Sequence, residues 1–336
     1  MPMTGRVHII AEAGTTHEGK VATALQSVAI AREAGADSIK FQFIEPEELY
    51  LGQIREDGDL VDNPPIAART AQKLTDEEWR RVAGECARQD IAFAASVFGP
   101  LSLGKLMALD PPYIKIASTD ATNIPLIELA CETGKPVLLS TGMSDLGEIE
   151  TAVNAIQRVG AREVVLLHCV SAYPCPVEEA NVGFIRTLRE AFGLPVGYSD
   201  HTETSVSAIA AVTLGATWIE KHMTHDRASP IGYDHSYAME PDMLTGYIAD
   251  IRACEAALQM RTPKVGATEA TVRSRARRGL WAARDLPAGH VVTAEDILPV
   301  RPAGPMSPAQ ADQLIGRTLS RPILKSEAFR LENIAP

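Results

Sequence analysis

Residues 194–222 read LPVGYSDHTETSVSAIAAVTLGATWIEKH, with His201 and His222 each directly after a short apolar run. Leu194–Tyr198 and Ala216–Glu220 have the length and composition of strands buried on both faces, and residues 206–214 between them fit a helix. Strand, helix and strand in about thirty residues is one unit of an α/β fold with parallel strands. In such a fold the ends of neighbouring strands converge at one face, where a barrel carries its chemistry. Two imidazoles delivered there, beside carboxylates such as Glu220, can hold a divalent ion.

The same alternation extends outward in both directions. Strand candidates fall at 7–13, 38–43, 91–97, 113–118, 137–140, 164–168, 195–198 and 217–221. Helical patterns fall at 21–34, 76–89, 101–109, 124–133, 146–159, 177–192, 204–214 and 242–259. Gly35 and Gly134 stand where helices stop, and Thr75 precedes Asp76-Glu77-Glu78 as an N-cap. Eight units in about 250 residues is the dimension of a (β/α)8 TIM barrel. A doubly wound sheet is the competing architecture, and the absence of GxGxxG after the first strand weighs against it. Residues 1–260 are therefore expected to form the barrel and 261–278 a polar, basic linker. Residues 279–336 are short segments broken by Pro and Gly turns, expected to form a small β-rich domain.

Composition narrows the function. Hydrophobic residues make up 46% of the 336, enough for a large core, and no run is long enough to span a bilayer. The start, Met1-Pro2-Met3-Thr4-Gly5-Arg6, has no signal-peptide core, so a cytoplasmic protein is expected. Five cysteines without a CxxC pair support neither a disulfide framework nor a structural zinc site. The net charge of −11 divides unevenly: residues 261–336 hold 12 Lys+Arg against 7 Asp+Glu, which leaves −16 on residues 1–260. The basic tail has no aromatic platform and no long basic run, which argues against nucleic acid. A small anion or the acidic barrel is the better partner.

The strand ends carry polar residues that a core would not require. Glu12 ends the first strand candidate; Lys40 and Gln42 share a facing on the second. Lys115 lies in the apolar Tyr113-Ile114-Lys115-Ile116, followed by Ser118 and Asp120. Ser140 ends the fifth strand candidate, Ser171 and Tyr173 follow the sixth, Glu220 and His222 share a facing on the eighth, and Asp234 lies in the loop beyond. Two lysines among hydroxyls and backbone amides make a cradle for phosphate or carboxylate. A lysine in an apolar strand can equally form a Schiff base, so a pyruvate aldolase stands as an alternative chemistry.

The order of motifs resembles the sialic acid synthase family. Ile9–Gly14 with His17-Glu18-Gly19, Lys40-Phe41-Gln42, Tyr113–Ser118, Leu139–Met143, His168–Pro174, Gly197–Thr202 and Glu220-Lys221-His222 match it in succession. The tail is similar to that family's antifreeze-like (SAF) domain through Arg277–Leu280, Ala283–Gly289, Thr293–Asp296 and Leu314–Arg317. The resemblance implies metal-dependent condensation of phosphoenolpyruvate with an N-acyl amino-hexose, giving a nonulosonic acid and phosphate. It implies a divalent ion, commonly Mn2+ with Mg2+ or Co2+ as alternatives, held by His201 and His222. Lys40, Lys115, Ser118, Ser140 and Ser171 would bind phosphoenolpyruvate, with Gln42 and Asp120 in the substrate-binding set. Glu12, Tyr173, Glu220 and Asp234 would contact the sugar or handle protons. Arg301 would reach the barrel mouth of a second subunit in a domain-swapped homodimer and contact the N-acyl group. Three positions depart from the family pattern: Thr16-His17 stands for Asn-His, Ala117–Asp120 for Gly-Ser-Gly-acid, and Arg301-Pro302-Ala303 for Arg-Pro-Gly. The resemblance thus implies a reaction type rather than a particular sugar. A non-catalytic carbohydrate- or ice-binding protein is the remaining alternative, suggested by the tail alone.

Overall fold

Alternation of side chains along each strand organises the first part of the chain. In a computed structural model, which describes residues 5–161, 163–231, 234–260, 262 and 264–335, eight parallel strands close into a barrel. They are β1 (His8–Gly14), β2 (Ser38–Phe43), β3 (Ala92–Val97), β4 (Ile114–Ile116), β5 (Val137–Ser140), β6 (Val164–Cys169), β7 (Val196–Asp200) and β8 (Trp218–His222). Each strand pairs with its sequence neighbours, and β8 closes the circle against β1. Ile9, Ala11, Ile39, Phe41, Ile114, Ile116, Leu139, Leu166 and Ile219 point outward into the core shared with the helices. The opposite faces fill the interior with Ile10, Ala94, Tyr113, Leu138, Val165 and Leu167. Gly197 has an inward Cα with no room above it; a Cβ there would meet Leu167 Cδ2 at 2.3 Å.

The helices follow from local signals. Thr75 caps Asp76–Arg88 with a reciprocal capping box to Glu78, and Gly35 ends Val21–Ala34 in the left-handed conformation. The expected helix at 177–192 is two pieces, a 3-10 turn Val177–Glu179 and an α-helix Phe184–Phe192. Asn181 between them has φ +45, which breaks helical continuity.

An insertion after β2 was not apparent from the periodicity. It holds a short helix Pro46–Leu49, an antiparallel hairpin Gln53–Glu56 with Asp59–Asp62, and a helix Pro64–Ala71. Asp57-Gly58 at the hairpin tip both have positive φ, the turn chemistry that Asp-Gly favours.

The chain divides into two compact units, Met1–Leu258 and Gln259–Pro336. Within the stretch expected to be a linker, Ala267–Ala276 forms an α-helix. The second unit has its own small core of Leu280, Leu286, Val292, Leu314, Ile323 and Phe329. Its strands Gly279–Ala282 and Ile297–Val300 pair antiparallel, and Asp296 ties it internally by accepting from Arg284, His290 and Thr293.

Candidate active site

Register explains why the polar residues meet. Glu12 lies opposite both Lys40 and His222, Gln42 opposite Ser96, Ser96 opposite Lys115, and Ser199 opposite Glu220. All point inward near the C-terminal ends of the strands. The pairing of β1 with β2 shifts between Glu12 and Gly14, a bulge that re-aims the end of β1.

A buried charge cluster results. Lys40 Nζ lies 2.5 Å from Glu12 Oε2 and 3.6 Å from Glu220 Oε2, and donates to Ser96 Oγ at 3.0 Å. Lys115 Nζ is 3.5 Å from Glu220 Oε1, and that oxygen also accepts from Ser199 Oγ at 2.9 Å. Gln42 Nε2 donates to Glu12 Oε1 at 3.2 Å. All four charged side chains are at most 4% exposed. Two cations against two anions balance, which is what allows this many charges to stay out of water.

The two carboxyls are held in different environments. Burial drives Glu12 up to about 7, against the opposing pull of Lys40. Burial acts on Glu220 in the same sense, but Lys115, Lys40 and the Ser199 hydroxyl outweigh it and hold Glu220 down at about 2. Lys40 is raised: its burial is outweighed by Glu12 and Glu220. Lys115 is lowered, because its burial is only partly offset by Glu220. Titratable pairs driven apart in this way separate a proton carrier from a fixed charge.

Beside the lysines lies a cradle of small polar groups. Ser118 Oγ accepts from Gly142 N at 3.1 Å and is 2.9 Å from Cys169 Sγ. A Cβ on Gly142 would stand 2.6 Å from Ser171 Oγ and 2.8 Å from Ser118 Oγ, so only glycine fits. Ser140 Oγ and Ser171 Oγ are buried with no hydrogen-bond partner. Two such hydroxyls cost roughly 1–3 kcal/mol each unless something else engages them, the signature of a ligand site.

The histidines stand on the other side of Glu220. The rings of His201 and His222 are 5.4 Å apart, flanked by Tyr173 and Tyr237. His201 Nδ1 lies 2.6 Å from the Val170 carbonyl, which can only accept, so Nδ1 carries the proton and Nε2 keeps a lone pair. His222 Nδ1 is buried without a partner. Burial pushes His222 down to about 3 and lowers His201 as well, so both imidazoles are neutral at physiological pH. Two neutral imidazoles, one with an unpartnered Nδ1 and the other with its Nε2 lone pair 3.4 Å from Ser199 Oγ, fit a borderline divalent ion. Among the described residues no group of three His, Cys, Asp or Glu side chains is gathered for a metal, so such an ion would complete its shell with water or substrate.

Asp234 joins this side of the site. Its Oδ2 accepts from Thr15 Oγ1 at 3.3 Å and its Oδ1 from Tyr237 OH at 2.7 Å. A Cβ on Gly14 would stand 2.8 Å from Asp234 Oδ2 and 3.3 Å from Glu12 Oε1, so the loop after β8 lies directly over the end of β1.

Most of the expected residues are thus brought together: Glu12, Lys40, Gln42, Lys115, Ser118, Ser140, Ser171, Tyr173, His201, Glu220, His222 and Asp234. Asp120 instead accepts from Thr119 Oγ1 and Asn123 Nδ2 in the turn before helix Ile124–Glu132. Arg301 is exposed on the second unit, just beyond Ile297–Val300. His17 packs edge-on against Trp79 and Phe41 rather than against the charge cluster. Ser96, Ser199, Thr15 and Tyr237 were missed by the sequence reading. Strand alternation would have found the first two, since Ser199 precedes His201 by two and Ser96 follows the inward Ala94 by two.

A closed barrel with a balanced charge cluster and a ligand cradle at its strand ends defines an enzyme of the (β/α)8 class. The chain matches the NeuB family over residues 27–262 and the SAF domain over residues 277–335. It is 32% identical over 335 residues to the N,N'-diacetyllegionaminic acid synthase of Legionella pneumophila, an overlap of 97% of this chain and 94% of that one. It is 30% identical over 331 residues to a pseudaminic acid synthase of Campylobacter jejuni, covering 97% and 96%. Among solved structures, the N-acetylneuraminic acid (sialic acid) synthetase of Leptospira borgpetersenii superposes with a TM-score of 0.68 at 32% identity, covering 80% of this chain and 90% of that one. The chain belongs to the NeuB family: it is a C–C bond-forming synthase of the nonulosonic, sialic-type acid class, with a C-terminal SAF domain.

Proposed function

We propose that the chain condenses phosphoenolpyruvate with the open-chain form of an N-acyl amino-hexose, using a divalent ion at His201 and His222. The observation that carries this reading is the buried pair Lys40 and Lys115 beside the unpartnered Ser140 and Ser171 hydroxyls. It is a cationic, hydroxyl-lined cradle suited to a small phosphorylated carboxylate.

An ion bound there, Mn2+ or alternatively Mg2+ or Co2+, would supply Lewis acidity to the sugar aldehyde. The residues do the rest. Lys40 and Lys115 neutralise the carboxylate and phosphate of phosphoenolpyruvate, and Ser118, Ser140 and Ser171 orient it. C3 then attacks the sugar carbonyl, leaving positive charge at C2 beside the bridging oxygen. Glu220, ionised, stabilises that charge. Water adds at C2; Glu12, whose affinity near neutrality suits the transfer, takes its proton and passes it to the alkoxide left at the former sugar carbonyl. The resulting tetrahedral centre expels phosphate with cleavage of the C2–O bond. Asp234, Tyr173 and Gln42 face the acceptor sugar. Arg301 of a second copy would reach its N-acyl group in a domain-swapped homodimer.

The test is phosphate release from phosphoenolpyruvate across a panel of N-acyl hexosamines, with and without chelator. Release is expected only with both substrates, lost with chelator and restored by Mn2+. A specific observation keeps the aldolase alternative in view: the lowered affinity of Lys115 for its proton is what a Schiff-base lysine needs. That reading requires pyruvate-dependent trapping by borohydride and no phosphate release, and the condensation reading expects the reverse.

A further inference from the structure

We infer that Glu18 is a positioning residue for the acceptor side of the site, clipping the loop after β8 to the loop after β1 so that Asp234 is held over Gly14. The inference rests on the reading of Asp234 as an acceptor-facing residue.

Glu18 has φ +56, a left-handed conformation that is strained for a glutamate and normally left to glycine or asparagine. Its side chain is only 6% exposed. The carboxylate gathers groups from both loops. Ser229 Oγ donates to Oε1 at 2.5 Å, and Lys20 Nζ approaches Oε2 at 2.8 Å. His235 Nε2 stands 3.7 Å and His225 Nε2 3.9 Å from Oε1, with the two rings perpendicular at 5.4 Å. His235 is anchored from behind by Thr224 Oγ1, 2.6 Å from its Nδ1. The loop after β8 is therefore hydrogen-bonded at Ser229 to one side chain of the neighbouring loop, with His225 and His235 packed within 4 Å of the same carboxylate oxygen.

Asp234 is the residue before His235, and Thr15 is three residues before Glu18. The two loops thus meet twice. One contact, Thr15 to Asp234, looks into the site, and the other, Glu18 to Ser229 and the histidines, lies behind it. Releasing the rear contact frees Asp234 to leave the position that the absent Cβ of Gly14 opens for it. A displaced carboxylate weakens acceptor binding without touching the lysines that hold phosphoenolpyruvate.

The experiment is a double-mutant cycle read in KM for each substrate, using the acceptor that gives turnover in the panel above. Glu18→Ala should raise the acceptor KM about tenfold and leave that for phosphoenolpyruvate within about twofold. Glu18→Gln, which keeps an acceptor for Ser229, should recover part of the loss. Asp234→Asn should raise the acceptor KM too, and the double variant should be no worse than Asp234→Asn alone, because Glu18 acts through Asp234. If Glu18→Ala fails to fold, Ser229→Ala removes one arm of the clip and should raise the same KM by a smaller factor. Unchanged acceptor KM in the foldable clip variants, or fully additive effects with Asp234→Asn, overturns the proposal. If Asp234→Asn itself leaves acceptor KM unchanged, the acceptor-side reading falls and the clip with it. An effect of Asp234→Asn without one from the clip variants overturns the clip alone.

Discussion

At the residue scale the account turns on how buried charges are paired. Lys115 contacts one carboxylate and Lys40 two, so removing Lys115 leaves Glu220 with Lys40 while stripping a cation from the cradle. Lys115→Ala is expected to raise KM for phosphoenolpyruvate by about tenfold or more, measured by phosphate release, with the fold retained. Gly142→Ala is a sharper probe. A methyl 2.6 Å from Ser171 Oγ and Cys169 Sγ intrudes on the cradle, so activity should fall at least about tenfold, and thermal stability should fall with it because the site is overpacked. Near-wild-type KM for phosphoenolpyruvate in that variant would contradict the cradle. His222→Ala should abolish metal-dependent turnover and leave far-UV circular dichroism unchanged; full activity in metal-replete buffer would remove His222 from the proposed metal pair. Much of this site was legible, because charged residues in short apolar strands have no other economical place than an inward-facing cluster. Asp120 shows the limit: its place after a strand end does not reveal that its carboxylate also braces Asn123, the N-cap of helix Ile124–Glu132.

Among elements, all eight strands could be read because strands buried on both faces leave short, unbroken apolar runs. The insertion between β2 and helix Asp76–Arg88 could not be read by period, since its four-residue strands are mostly exposed and only the facing pair Ile54 and Val61 is half-buried; Leu60 is 57% exposed. Its Asp57-Gly58 turn was the one available signal. Two stability predictions belong here. Thr75→Ala removes one half of the capping box and should cost about 1 kcal/mol of stability in the barrel, read from denaturant unfolding. His17, wedged by burial against Trp79, is pushed down to about 4. Its folded-state affinity for a proton lies below the ordinary histidine value near 6.5, so its contribution is complete above that pH. As pH falls from about 6.5 to 4 the unfolded chain takes the proton first, and about 3 kcal/mol of stability is lost. The measurement is the urea midpoint of His17→Leu against the parent. The parent should lose stability more steeply over that window, and parallel curves would contradict the assignment.

For the whole molecule, the question is how an acidic barrel and a basic tail cooperate. Residues 1–260 carry a net charge of −16 and residues 261–336 one of +5. The domain-swapped dimer proposed above makes a definite prediction. Mixing the inactive variants Arg301→Ala and His222→Ala should restore activity on subunit exchange, because one site of each heterodimer then has an intact barrel and an intact arginine. Heterodimers that form and stay inactive would contradict it. The central claim, condensation with water adding at C2 and phosphate leaving by C–O cleavage, is tested most directly with phosphoenolpyruvate labelled with heavy oxygen at the bridging position. The acceptor is an N-acyl amino-hexose, and both products are analysed by mass spectrometry. The account predicts a nonulosonic acid free of label and phosphate that carries it. Label retained in the keto acid, or release of pyruvate without a new C–C bond, would contradict it.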